Sequence, residues 1–270
     1  MTINDNATLP TGTLELKKQG HVGTVIFNNP SKFNAMNYDM WLALPKLMQD
    51  CVDDPSIRLI VLTGGGEKAF VSGADISQFD KQRNGGDAAE AYNRATEAAY
   101  SCVLDCPKPT LAKIRGICMG GGLGLALNCD VRICASDARF RMPAGRLGLG
   151  YGFDGVKRFT EVVGMAHTAD LFFSARIFNG EDAHHIGLVK QVVSTETFET
   201  TIAAYITQVC ENAPLTLAAT KRSLLELRKN PADRNLQLVR EMVEDCFASE
   251  DYKEGRKAFV EKRTPDFQGR

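Results

Sequence analysis

The hydrophobic pattern divides the chain into a first part in which short apolar runs alternate with helical stretches and a last part that is helical alone. Apolar runs rich in β-branched residues predict strands, and apolar positions recurring every three or four residues predict helices. The predicted strands cover residues 13–18, 23–28, 58–63, 110–114, 131–134, 139–142 and 186–193. The predicted helices of this part cover residues 36–52, with a kink at Pro45, and 88–106, 120–128, 156–163 and 166–174.

The character of the sequence changes near residue 200. Four further helices are predicted, and almost no strand pattern accompanies them; they cover residues 198–212, 214–228, 235–248 and 251–262. We therefore expect a mixed α/β core over 1–200 and a smaller helical region over 201–270. No repeat of fixed period and no low-complexity segment interrupts this division.

Composition and charge are those of an ordinary soluble globular protein. The 270 residues are 44% hydrophobic and 24% charged, with a net charge of -1, so no overall field attracts nucleic acid or an anionic membrane. Residues 1–10 lack the pattern of a signal peptide, and no run approaches the roughly 18 apolar residues of a membrane span. We expect a cytoplasmic protein with neither a nucleic-acid nor a membrane partner.

Cysteine and histidine are arranged without the spacing of a metal site. The eight cysteines and four histidines do not form the two closely spaced pairs of ligands that are typical of a zinc site. Most cysteines lie in apolar segments, which predicts reduced and mostly buried thiols. We therefore predict no bound metal.

The most chemically suggestive segment is the glycine run Gly120–Gly122, which follows a predicted strand and opens an apolar helix. The first N–H groups of a helix lack partners and carry the positive end of its dipole, so they can hold an oxyanion. Close helix packing is the alternative explanation of such a run. The segment lacks the acidic residue of a dinucleotide-binding unit and the Lys-Ser/Thr ending of a phosphate-binding loop.

A second segment, Lys-Ala-Phe-Val-Ser-Gly-Ala-Asp-Ile at 68–76, occurs upstream of the glycine run. The two together resemble the crotonase (enoyl-CoA hydratase/isomerase) superfamily. The resemblance extends over nearly the whole chain, through further motifs at 29–36, 128–130, 187–189 and 254–263. It implies an α/β fold in which a spiral of ββα units is followed by a C-terminal helical trimerisation region.

The resemblance also implies functions for individual residues. Ala74 and Gly121 match the two backbone N–H donors that hold a thioester oxygen as negative charge develops on it. Six residues match the coenzyme A site of the family: Lys32, Ser72, Asp75, Ile76, Phe259 and Lys262. Of these, Phe259 and Lys262 match residues that close over the coenzyme, often from a neighbouring subunit. The implied partner is an acyl-CoA substrate, with coenzyme A as part of it and no separate cofactor. The implied assembly is a homotrimer or a dimer of trimers.

Two positions depart from the hydratase pattern of this family. The glutamates that activate water and deliver the proton would fall on Gly124 and Ala144. Neither glycine nor alanine transfers protons, so ordinary hydration is not expected. The nucleophilic aspartate of the similar 4-chlorobenzoyl-CoA dehalogenase branch would fall on Gly152, so dehalogenation is not expected either.

Replacement chemistry has its candidates in the loop 147–155. Tyr151 falls where the methylmalonyl-CoA decarboxylase branch has a tyrosine near the substrate carboxylate, and it lines the pocket or donates a proton. Asp154 is a candidate general base, although we favour it as the N-cap of the helix 156–163. Arg146 and Arg141 either meet a substrate carboxylate or form surface ion pairs. Trp41 is expected in the core, and Asp75 in a structural role.

Decarboxylation fits this set of residues best, because loss of CO₂ yields the enolate directly and the oxyanion donors then do most of the work. A hydratase-like lyase using groups other than glutamate belongs to the same class. An isomerase would need one carboxylate, for which Asp154, Asp87 and Glu90 are candidates. Hydrolysis of the thioester or of a carbon–carbon bond, and a non-catalytic acyl-CoA-binding protein, are the remaining alternatives.

Overall fold

The computed structural model describes residues 12–75 and 86–270. The chain begins with an antiparallel hairpin of β1 (Thr13–Gln19) and β2 (Val22–Asn28), as the sequence predicts. Asn37 then caps α1 (Tyr38–Val52), accepting a hydrogen bond from the N–H of Met40 at 2.8 Å. Helix α1 continues through Pro45, so the kink predicted there does not interrupt the helix.

Three consecutive strand–strand–helix units follow. The first consists of β3 (Leu59–Gly64), β4 (Ala69–Val71) and α2 (Gly86–Leu104). The second consists of β5 (Thr110–Ile114), β6 (Ile117–Met119) and α3 (Gly121–Asn128). The third consists of β7 (Val131–Ala135), β8 (Arg139–Arg141) and α4 (Phe153–Ser174).

The strands of these units separate into two sheets, which makes the chain a spiral. The first strand of each unit enters a six-stranded sheet of order β1-β2-β3-β5-β7-β10, in which all pairs but β1–β2 are parallel. The second strand enters a four-stranded sheet of order β4-β6-β8-β9, whose last pair is antiparallel. The sheets are completed by β9 (Phe178–Asn179) and β10 (Gln191–Val193). The predicted α/β spiral of ββα units is confirmed.

Both faces of the large sheet are buried, as a parallel sheet requires. Along β3, Ile60 and Leu62 join the main core, which contains Trp41 of α1. Leu59 and Val61 point to the other face and pack in a second cluster with Phe198. This alternation is the period of two expected of a strand.

The chain after β10 is helical. It contains α6 (Phe198–Cys210), α7 (Pro214–Leu227), α8 (Leu236–Ala248) and α9 (Glu250–Glu261), close to the predicted ranges. Lys221 of α7, 3% exposed, ties this region to the core through an ion pair with Asp130 (Nζ–Oδ1 2.6 Å). The division of the chain into two domains near residue 200 stays a prediction.

The two helices predicted over 156–163 and 166–174 are confirmed, because the backbone of Gly164 between them is not helical (φ 80, ψ 165) and α4 therefore consists of two helices that meet at a kink. The first of them begins earlier than predicted, at Phe153. The range 186–193 contains a strand, as predicted, but only Gln191–Val193 forms it, because α5 (Gly180–His185) is followed by a turn before β10 begins. Leu188 and Val189 are buried in that turn, so its apolar character comes from burial and not from strand pairing. Within the described residues, no helix is long and apolar enough to cross a membrane.

Candidate active site

Ala74 lies in the segment after β4, where the backbone is pinned on both sides. The N–H of Met36 donates to the carbonyl of Gly73, and the N–H of Asp75 donates to the carbonyl of Met36, both at 2.8 Å. Successive N–H groups of an extended segment point in opposite directions, so the N–H of Ala74 turns away from Met36. Among the backbone hydrogen bonds of the described residues, this N–H has no acceptor.

Gly121 is the first residue of α3, and Gly120 before it makes the turn out of β6 with a positive φ of 50°. The first helical hydrogen bond runs from the N–H of Gly124 to the carbonyl of Gly120 at 3.0 Å. The N–H of Gly121 therefore precedes the helical ladder, lies at the positive end of the helix and has no backbone acceptor among the described residues. A Cβ at Gly122 would overlap the carbonyl oxygen of Val71, so this glycine lets α3 pack directly on β4.

Ala74 and Gly121 line the same small cavity, which has a volume of about 100 Å³. The place that a Cβ would take on Gly73 lies 3.8 Å from the N atom of Gly121, which shows how closely the two segments approach. The wall is mainly apolar, and its described residues are Ser72, Gly73, Ala74, Gly120, Gly121, Met142, Pro143, Ala144, Leu147, Leu149 and Tyr151. Within the described part of the chain, no carboxylate lines this cavity.

Tyr151 contributes the one phenol among these lining residues. Its ring packs edge-on against Phe172 at a centroid distance of 5.1 Å and against Phe159 at 6.3 Å. Gly155 allows this position, because a Cβ there would overlap the Tyr151 ring. Burial raises the pKa of Tyr151 to about 12, so the phenol is protonated at neutral pH. It can donate a hydrogen bond or a proton, and it cannot act as a base at neutral pH.

The other candidates for replacement chemistry, Asp154, Arg146 and Arg141, are not among the described residues of the cavity wall. Helix α4 begins at Phe153 with Gly152 as its N-cap, so the prediction that Asp154 is the N-cap is wrong. Asp154 is exposed in the first turn, where its negative charge favours the helix N-terminus. Arg146 is exposed beside the cavity and forms no ion pair with another described residue. Arg141 instead donates to the carbonyl of Ala175 at 2.7 Å.

Three of the residues matched to the coenzyme site lie together. Lys32 and Asp75 form an ion pair (Nζ–Oδ2 2.7 Å) in which the carboxylate is 7% exposed and the lysine 50% exposed. Ser72 donates its hydroxyl to the carbonyl of Lys32 at 3.2 Å. Asp75 thus holds Lys32 beside the loop that carries Ala74, which agrees with a structural role for this acid. Ile76 lies outside the described residues.

Phe259 and Lys262 are not brought to this cavity within one chain. Phe259 is 85% exposed on α9, and Lys262 ends that helix with a left-handed backbone (φ 54). Phe259 instead lines a cavity of about 770 Å³ between the C-terminal helices. Neither Ala74 nor Gly121 lines that cavity, so the volume of a cavity does not locate the candidate active site of this protein.

The sequence did not single out Tyr100, although it lies immediately behind the glycine helix. Its hydroxyl donates to the carbonyl of Gly121 at 3.2 Å, and its ring packs edge-on against Trp41. Trp41 is fully buried, as predicted, and donates to the Tyr92 hydroxyl at 3.0 Å. Tyr92 and Tyr100 are eight residues apart in a predicted helix, which places them on one face and could have pointed to this contact.

Metal and thiol chemistry find no support in the described residues. No group of three or more acidic, cysteine or histidine side chains there is arranged to hold a metal ion. All eight cysteines are free, and five of them are buried. Burial raises the pKa of Cys102 and of Cys129 to about 12, so neither thiol is a ready nucleophile at neutral pH.

The fold and the glycine-helix cavity define a protein of the crotonase class, and comparison with known proteins agrees. A protein-family model described as enoyl-CoA hydratase/isomerase matches residues 17–270 of this chain. The short-chain-enoyl-CoA hydratase of Clostridium acetobutylicum is 33% identical over 248 residues, which cover 92% of this chain and 94% of that protein. The peroxisomal Delta(3,5)-Delta(2,4)-dienoyl-CoA isomerase of Arabidopsis thaliana is 29% identical and is covered to 96%.

Solved structures lead to the same family. An enoyl-CoA hydratase/carnithine racemase from Magnetospirillum magneticum superposes with a TM-score of 0.91 at 31% identity, covering 95% of this chain and 96% of that one. The chain belongs to the enoyl-CoA hydratase/isomerase family. The relatives' names include both hydratases and an isomerase at similar identity, so relatedness alone does not determine the reaction.

Proposed function

We propose that this protein is an acyl-CoA enzyme that stabilises a thioester enolate between the N–H groups of Ala74 and Gly121, and that its reaction is of the lyase type, with decarboxylation as the best fit. The observation that carries the proposal is the cavity itself. Two backbone donors without acceptors in the described structure border it, while its described wall contains no carboxylate. Such a site stabilises developing negative charge but has no evident base.

Decarboxylation suits this combination because it needs no base. In a malonyl-type thioester, the bond between Cα and the carboxylate carbon breaks, and its electron pair moves into the enolate, whose oxygen the two N–H groups hold. A proton must then reach Cα, and the protonated phenol of Tyr151 on the cavity wall can donate it. The phenolate formed by that transfer is reprotonated from water. Each oxyanion donor contributes about 3 kcal/mol in a typical site of this kind.

The two positions that correspond to the hydratase glutamates also support this proposal, because neither carries a carboxylate. Ala144 borders the cavity with only a methyl group, and Gly124 lies in α3 with no side chain at all. We propose on this basis that the protein belongs to a branch of the family that has neither of the two glutamates. Asp154, Asp87 and Glu90 are all exposed, which does not favour the one-carboxylate isomerase alternative.

The coenzyme is expected to bind along the loop that carries Ala74. The side chain of Lys32, which is half-exposed and paired with Asp75, is proposed to bind a phosphate of coenzyme A. Phe259 and Lys262 are proposed to close over the coenzyme from a neighbouring subunit. The adjacent side chains of Phe259 (85% exposed) and Val260 (79% exposed) on α9 support an assembly such as a homotrimer or a dimer of trimers, because contiguous apolar surface on a soluble protein marks an interaction site.

A mass-spectrometric screen of acyl-CoA thioesters in water and in heavy water tests the proposed reaction. We expect malonyl- or methylmalonyl-CoA to lose the mass of CO₂ and, in heavy water, to gain one deuterium at Cα. Addition of water to crotonyl-CoA would instead establish hydration. Binding of the thioesters without any change in mass would establish a non-catalytic acyl-CoA-binding protein and contradict the proposal.

A further inference from the structure

Helix α3 is held at its first turn by an aromatic side chain from a different unit of the spiral. Tyr100 of α2 donates its hydroxyl to the carbonyl of Gly121 at 3.2 Å. Its ring stands edge-on to Trp41 of α1, with a centroid distance of 5.6 Å and an interplanar angle of 76°. Trp41 is fixed in turn by its hydrogen bond to Tyr92. Two helices therefore fix the turn that presents the N–H of Gly121.

The fit between these aromatic rings and the glycine helix is close. A Cβ on Gly121 would lie 3.3 Å from Cζ2 of Trp41 and 3.4 Å from the hydroxyl oxygen of Tyr100. A Cβ on Gly124 would lie 2.8 Å from the same hydroxyl oxygen and 3.0 Å from Cζ of the ring. Real Cβ atoms essentially never approach as closely as 2.8 Å. Tyr100 in its present position therefore requires glycine at 124.

We propose that Tyr100 is a positioning residue for the oxyanion hole, orienting the N–H of Gly121 by holding the first turn of α3 from the side of α2. The inference rests on the proposed function, since it concerns the same pair of donors. Tyr100 is not part of the described cavity wall, so it acts through Gly121 and does not contact the substrate. Preorganised donors are effective because they do not reorient as charge develops.

The chemistry of Tyr100 suits this role at any working pH. Burial raises the pKa of its phenol well above the usual value, with smaller contributions from Tyr151 and Tyr92. The hydroxyl therefore stays protonated and continues to donate to the Gly121 carbonyl. Tyr100→Phe removes this hydrogen bond and keeps the ring, whereas Gly124→Ala keeps the hydroxyl and pushes it out of place.

The carbonyl stretching frequency of a bound thioester reports the strength of the oxyanion hole directly, whichever reaction follows. The probe is butyryl-CoA labelled with ¹³C at the thioester carbonyl, measured by difference infrared spectroscopy on the full-length protein. We expect a shift to lower frequency in the wild type, loss of about half of that shift in Tyr100→Phe, and a change in Kd of less than about twofold. Tyr205→Phe, in the remote α6, is the matched control and should retain the full shift.

A second variant keeps the test decisive if Tyr100→Phe unfolds. Gly124→Ala should lose a comparable part of the shift in the presence of Tyr100, and should have no further effect in a Tyr100→Ala background, where the ring is absent. A wild-type shift that both Tyr100→Phe and Gly124→Ala retain would overturn the inference while leaving the proposed function intact. A wild type that binds butyryl-CoA without any shift would contradict the proposed function, and the inference with it.

Discussion

Gly121 occupies the first position of α3, where the N–H has no helical partner and where proline is accepted. Gly121→Pro therefore removes the proposed donor with little harm to the helix. Its matched control is Gly121→Ala, which adds the same Cβ beside Trp41 but keeps the N–H. We expect the proline variant to turn over substrate about 100-fold more slowly than the alanine variant, because one oxyanion donor is lost. Steady-state kinetics, with circular dichroism to verify folding, measures this difference.

Wild-type turnover in both variants would show that the N–H of Gly121 takes no part in the reaction. A loss of turnover shared by both would assign the effect to crowding against Trp41, which lies 3.3 Å from the added Cβ position.

Tyr151 is expected to affect turnover more than binding. Tyr151→Phe keeps the ring packed against Phe172 and Phe159 and removes the proton donor, so kcat should fall about 100-fold with KM nearly unchanged. Since burial raises the Tyr151 pKa to about 12, the phenol is protonated below that pH and loses its proton only above it. The wild-type kcat should therefore show no decline with an apparent pKa near 10. Normal turnover in the variant would remove Tyr151 from the mechanism.

The sequence predicted the roles of single residues well where a motif depends on backbone geometry. It predicted them less well where a role depends on how side chains of different elements pack. The glycine run predicted unpaired N–H groups at a helix start, and the structure has that helix beginning at Gly121. Asp154 was misplaced because the helix start shifted to Phe153, where Gly152 is the N-cap. Tyr100 was missed because the spacing of Tyr92 and Tyr100 shows that they share a helix face but does not show that this face packs against Gly121 of α3.

At the scale of elements, length helped the prediction of the C-terminal helices and hindered that of several short strands. The four C-terminal helices run for twelve residues or more, so their apolar periodicity repeats several times. The strands β4, β6 and β9 contain two or three residues, which is too few to show a period of two. These short strands nevertheless form the second sheet, and β4 and β6 lead directly to Ala74 and Gly121.

The attachment of the helical region to the core gives a prediction at this scale. The Lys221 ammonium lies 2.6 Å and 2.8 Å from the two carboxylate oxygens of Asp130, which also accepts two hydrogen bonds from Thr110. Lys221→Met leaves a partly buried carboxylate without its cation, and should lower the free energy of unfolding by about 2 kcal/mol. Urea denaturation measures this loss.

Lys113→Met is the matched control for that variant. Lys113 pairs with Glu199, whose side chain is 66% exposed, so its loss should change the free energy of unfolding by less than about 1 kcal/mol. Equal effects of the two substitutions would show that the Lys221–Asp130 pair does not hold the helical region to the core.

At the scale of the whole molecule, the two groups of residues assigned to acyl-CoA lie apart in one chain, and assembly is proposed to unite them. We expect sedimentation equilibrium to give three or six times the 29.5 kDa of one chain. Phe259→Asp should weaken this association, because it introduces a charge at a side chain that is 85% exposed in one chain and proposed to be covered in the oligomer. The control substitution Leu42→Asp, on the exposed side of α1, should leave the association unchanged. A monomeric wild type would contradict the proposed assembly.

The most direct test of the central claim is a crystal structure of the protein with butyryl-CoA, a thioester with no carboxylate to lose. The account predicts that the thioester carbonyl oxygen lies within about 2.7–3.1 Å of the N atoms of both Ala74 and Gly121. A thioester bound with its carbonyl oxygen more than about 4 Å from either N atom would contradict it, since no hydrogen bond spans that distance.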